Sequence, residues 1–142
     1  MRKSLFVSLA AIMQGINCAE YMLPATAYGD SLDISYDEDK VTLTAKVKID
    51  SWLGFGWGPD MDQTSMIEWS AGATDSDKDR YATQLYAEEE GYPDTIDPSC
   101  YTTTSEDTGD GFIVFTSTRP LDCGDNGYVV PLDTQSEWCF AW

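Results

Sequence analysis

Nine residues, Val41-Thr42-Leu43-Thr44-Ala45-Lys46-Val47-Lys48-Ile49, alternate apolar and polar without a break. They constrain the chain more than any other stretch. Successive side chains of a strand point to opposite faces, so a period of two gathers Val41, Leu43, Ala45, Val47 and Ile49 on one face. Ser31-Leu32-Asp33-Ile34-Ser35-Tyr36 alternates in the same way, with Leu32, Ile34 and Tyr36 together, and Asp37-Glu38-Asp39-Lys40 is a polar turn between the two. The expectation is an antiparallel hairpin with one face buried and one wet.

Further along, Trp52-Leu53-Gly54-Phe55-Gly56-Trp57 is a short aromatic strand, Gly58-Pro59-Asp60 is turn chemistry, and Ser65 to Ser70 is a second strand. Tyr81 to Tyr86 follows as a strand after a polar run from Gly72 to Arg80. Tyr101 to Ser105 and Gly111 to Ser117 make another hairpin around Glu106 to Asp110, and Glu137 to Trp142 closes the chain. Glu88 to Pro93, with Asp94, Asp97 and Pro98, is expected to be loop. No stretch has the period of a long amphipathic helix, and no internal repeat is visible. With 142 residues, the chain is expected to be one all-β domain.

Charge and composition narrow the function. Lys and Arg number 8 against 25 Asp and Glu, a net charge of −17. Such a surface repels phosphate, so neither nucleic acid nor an anionic membrane is an expected partner. The chain contains no histidine. That removes the commonest general base and metal ligand, and no Ser-His-Asp set, Cys-His pair, P-loop or dinucleotide fingerprint is present. Catalysis is not expected. Asp75, Asp77 and Asp79 begin like an EF-hand, but Arg80 stands where that loop needs glycine and Tyr86 where it needs glutamate. A solvated loop is the expectation there, with a looser calcium site as the open alternative.

Met1-Arg2-Lys3 before the apolar run Ser4 to Met13 has the form of a secretory leader, with cleavage expected near Ala19. Residues 1–19 are thus read as a signal peptide and 20–142 as a single domain. No later stretch is apolar enough to span a membrane. The expected location is secreted and extracellular, where the four cysteines would form disulfides, and four allow three pairings. No cysteine spacing suggests zinc.

The central stretch carries a family resemblance. Trp52, Gly54, Phe55, Gly56, Trp57, Pro59, Met61, Thr64, Ser65, Met66 and Ile67 fall in the order typical of DOMON domains, the family named for the amino-terminal domain of dopamine beta-monooxygenase. Asp79-Arg80-Tyr81 resembles that family's D-x-Y, and Thr118 to Asp125 resembles its Arg-containing segment with a following cysteine. The final Trp138 region is similar to its closing strand. The resemblance covers about Ser31 to Trp142 and implies an immunoglobulin-like antiparallel β-sandwich. In relatives similar to the cytochrome domain of cellobiose dehydrogenase it also implies haem b held between a methionine and a histidine. Met61 matches that methionine, but the histidine has no counterpart, so haem is not expected.

Other members of the family are sugar-binding or interaction modules, so the resemblance implies a binding module here, carbohydrate the leading ligand class. Trp52, Trp57, Met61, Trp69 and Tyr81 are the candidate ligand-binding residues, since flat rings stack on sugars. Cys100 and Cys123 bracket a hairpin and are expected to pair, in keeping with loop cysteines of the family. Cys139 pairs with Cys18 if Cys18 survives processing, and is otherwise single. Two rival readings stand beside this one: a self-associating structural subunit of an extracellular matrix or filament, and a haem electron-transfer domain with unusual axial ligation.

Overall fold

The computed structural model describes residues 5–6, 19–23, 29–57, 64–72, 80–87, 93–124 and 137–141. Among them every regular element is a strand: β1 (Leu5–Phe6), β2 (Ala19–Leu23), β3 (Ser31–Tyr36), β4 (Lys40–Lys48), β5 (Trp52–Gly56), β6 (Thr64–Ala71), β7 (Arg80–Ala87), β8 (Asp94–Thr95), β9 (Thr102–Asp107), β10 (Phe112–Pro120) and β11 (Glu137–Ala141). One sheet runs β1-β11-β5-β6-β7-β8 and the other β2-β3-β4-β10-β9, with every pairing antiparallel. The expected antiparallel sandwich is therefore the observed fold.

The alternating runs do what their period requires. Leu32, Ile34 and Tyr36 of β3 and Val41, Leu43, Ala45 and Val47 of β4 are buried, and the residues between them are not. Ile113 and Phe115 of β10 extend that inward face, and Leu53, Phe55, Ile67 and Trp69 fill the space from the other sheet. Burial of this kind contributes about 25 cal/mol per Å² of apolar surface. A polar chain also crosses the core. The Trp69 indole N–H donates to Ser117 Oγ at 2.9 Å, and Ser117 Oγ lies 2.7 Å from Thr103 Oγ1. This ties β6 of one sheet to β10 and β9 of the other and satisfies groups that would be costly to bury alone.

Several boundaries differ from the sequence-based expectation. Ile49 leaves β4 for the turn, and its N–H bonds the Gly111 carbonyl at 3.0 Å. Glu106 and Asp107, expected in a turn, extend β9 because Ile113 and Val114 pair with them. Strand β10 runs on to Pro120 because β4 lies beside it as far as Lys40. Asp94–Thr95, expected in a loop, forms a short edge strand against β7. Strand β1 lies within the segment expected as a leader, and β2 begins at Ala19, its expected last residue.

Candidate functional site

Registration across β5, β6 and β7 sets the geometry. Trp52 lies opposite Ser70, and Ser70 opposite Tyr81, so the three form one cross-strand row. Gly54, Glu68 and Thr83 form the next row, two residues along. Both rows belong to the outward face, since Leu53, Phe55, Ile67, Trp69 and Gln84 at the alternate positions are buried. Trp52 is 43% exposed and Tyr81 50%, and they are the exposed large hydrophobic residues among those described. Two strand spacings separate them, about 10 Å. The outcome is a pair of rings flanking a serine hydroxyl, with a carboxylate and a threonine hydroxyl alongside and Gly54, which carries no side chain, at the β5 end of that second row.

The other two tryptophans proposed from the sequence point the opposite way. Trp69 is fully buried, bonded to Ser117. Trp57 is 2% exposed, and its N–H donates to the Tyr101 hydroxyl at 3.1 Å. Phe55 meets Trp57 edge-on with centroids 4.7 Å apart, and Tyr36 stands 6.2 Å away. The space beneath Trp57 is thus filled by the protein's own rings. Neither residue offers a ring face to a ligand from outside, so the five candidates do not form one surface. Met61 lies outside the described residues, as do Asp75, Asp77, Asp79 and Cys18.

Close to Trp57 the interior is electrostatically unusual. Arg119 is buried, donates from Nε to the Pro120 carbonyl at 3.0 Å, and places its guanidinium 5.5 Å from the Tyr101 ring centroid. Burial pushes the Tyr101 phenol above its ordinary value, while the Trp57 N–H and the Arg119 charge pull it back. The phenol therefore stays protonated and neutral beside a cation. That wall is fixed from outside by the Cys100–Cys123 disulfide, which has the Cα atoms 6.1 Å apart and is the pairing expected from the sequence. Buried Gln84 adds a second clasp, its Oε1 accepting the Cys100 N–H at 2.6 Å and the Ser99 hydroxyl at 3.3 Å. Cys139 falls in β11 opposite Gly56.

A hollow of about 380 Å³ opens at the β4–β5 turn, lined by Lys48, Ile49, Asp50 and Ser51. It adjoins the Trp52 end of the aromatic row. Asp50 there takes a positive φ of 64°, and its N–H bonds the Gly72 carbonyl at 2.8 Å. A residue other than glycine held in that region marks a tightly determined turn.

Ser70, Glu68 and Thr83 were not singled out from the sequence. The available signal was parity. Trp52 and Leu53 are successive residues of β5, so they must face opposite ways, and the side bearing Leu53 and Phe55 is the buried one. The haem ligands of cytochrome-type relatives do not fit the donors of this chain, which has no histidine to pair with a methionine. No curated protein matches the chain significantly in sequence. A family model for the DOMON domain, by contrast, matches residues 27–142, which take in β3 to β11. The chain therefore belongs to the DOMON domain family, a membership that suggests a binding or haem-related module.

Proposed function

We propose that this DOMON domain is a non-catalytic, haem-free binding module for extracellular carbohydrate, and that the outward face of β5, β6 and β7 is its platform. The supporting observation is the exposure of Trp52 and Tyr81 in one register row. A folded sandwich gains little from leaving two large rings in water, whereas a pyranose gains from stacking its C–H face on them. Ser70, Thr83 and Glu68 supply hydroxyl and carboxylate partners in the same and the neighbouring register row. A disulfide and the family membership are consistent with an extracellular location. The lack of histidine argues against the haem branch of the family.

Affinity electrophoresis in gels containing soluble polysaccharides tests the reading. Native protein should be retarded by at least one glycan, and Trp52→Ala and Tyr81→Ala should each abolish the retardation. Unchanged retardation in both variants, or a native protein that no glycan slows, overturns it. A Soret band on adding haem that depends on Met61 would favour the haem reading instead.

A further inference from the structure

We infer that this platform selects a cationic amino-sugar polymer, built of glucosamine-type units, over neutral glycans. The inference rests on the carbohydrate reading above. Its basis is the placement of one carboxylate. Glu68 sits in the row beside the aromatic pair, between Gly54 on β5 and Thr83 on β7. Diagonal neighbours on one face of an antiparallel sheet lie about 7–8 Å apart, within reach of long and aromatic side chains. A sugar ring stacked on Trp52 or Tyr81 therefore carries its amino substituent to the Glu68 carboxylate. Gly54 has no side chain to block the approach from the β5 side.

The charges on these three strands leave Glu68 as the charge facing the aromatic row. Among the described residues of β5, β6 and β7, the charged ones are Glu68 and Arg80. Arg80 sits at the alternate parity, opposite buried Ala71, and its guanidinium bonds Asp107 at 3.3 Å, so its charge is already engaged. The hollow at the β4–β5 turn carries Lys48 and Asp50 together and favours neither sign. A single carboxylate beside exposed rings is a receptor for an ammonium group, which gains from both the carboxylate and the aromatic faces. The net charge of −17 adds a long-range field that concentrates a polycation at the surface and speeds its arrival. That field alone gives no choice of face, and Glu68 supplies the choice.

The test compares oligomers of glucosamine, N-acetylglucosamine and glucose of equal length by isothermal titration. Mildly acidic buffer is used, in which the sugar amine is protonated and carboxylates are largely ionised. The glucosamine oligomer should bind at least about tenfold tighter than the two neutral ones at low salt, a difference of about 1.4 kcal/mol. Added salt should shrink the advantage. Glu68→Gln should remove most of it, bringing the ratio of glucosamine to neutral-oligomer affinity close to one. Glu106→Gln, the same change of charge on the opposite sheet, should leave it in place. Equal binding of all three oligomers by native protein, or equal loss in the Glu68 and Glu106 variants, overturns the selectivity and leaves the carbohydrate platform standing. Failure of every oligomer to bind overturns the selectivity, and the polysaccharide gels then decide whether the carbohydrate platform stands.

Discussion

Trp69 and Trp52 sit on neighbouring strands of one sheet, only one register row apart, and have opposite fates. Trp69 lies opposite Leu53 and is fully buried, while Trp52 lies opposite Ser70 and stands in solvent. Tyr81 shares the fate of Trp52, while Trp57, just past the end of β5, is buried against Phe55 and bonded to Tyr101. For Trp52, Trp69 and Tyr81, strand parity decides which aromatic belongs to the fold and which is free for another task. The inward set is constrained by packing and by hydrogen bonds to Ser117 and Tyr101. The outward set meets no such demand, so its large rings require a different explanation.

The contrast breaks most visibly at Trp69. Trp69→Ala should cost about 3–5 kcal/mol, the range for deleting a large buried ring, because the cavity also strands the Ser117–Thr103 hydroxyl pair. Chemical denaturation monitored by circular dichroism measures it. A loss under about 1 kcal/mol would mean that the core tolerates the deletion, and the division into inward and outward aromatics would fail as an energetic statement.

Next in size is the disulfide that backs the Trp57 wall. Cys100 immediately precedes Tyr101, the acceptor of the Trp57 N–H, so the bridge to Cys123 holds that acceptor in place. Replacing either cysteine with serine should destabilise the domain by about 2–4 kcal/mol. Non-reducing peptide mapping of native protein should recover the linked Cys100–Cys123 peptide. Free thiols at both positions would remove the constraint from the account.

Much of this architecture was legible in the sequence, for reasons that also mark the limit. Val41 to Val47 and Leu32 to Tyr36 announce their buried face by period alone, and the structure follows them residue by residue. Gln84, Ser117 and Arg119 are buried although polar, and their positions follow from partners far away in sequence that no local pattern encodes. Gln84 is held inside by the Cys100 N–H, and Ser117 by the Trp69 indole. The ends of β9 and β10 likewise depend on the length of the strand beside them. For the candidate site, residue type was readable but the gathering of Trp52, Ser70 and Tyr81 was not. It needs the register of three strands, and register is set by tertiary pairing.

Tyr101 sharpens the contrast through pH. The unfolded chain ionises this phenol near its ordinary value of 10.0, whereas burial raises it in the folded protein. A raised folded value stabilises fully below the unfolded one, and that contribution is lost as pH climbs through the folded value. Native protein should therefore lose stability more steeply above pH 10.0 than Tyr101→Phe does. At neutral pH the same variant should cost about 1–3 kcal/mol, because it removes the acceptor of the Trp57 N–H. Parallel alkaline profiles for the two proteins would show that the phenol is not shielded.

The smallest stability effects should come from the residues with the largest effect on binding. Trp52 and Tyr81 are exposed, and their rings make no hydrogen bond among the described contacts that the fold depends on. Trp52→Ala and Tyr81→Ala should each stay within about 1 kcal/mol of native stability, near the range of surface substitutions. Strand propensity sets the remaining scale, since aromatics favour strands over alanine by up to about 1 kcal/mol. Retained stability together with lost glycan retardation is the signature of a surface kept for recognition. A loss near that of Trp69→Ala would instead make the outward rings structural, covering a neighbouring segment of the chain. The parity argument would then still describe the sheet, but the aromatic row would no longer be a platform for a ligand.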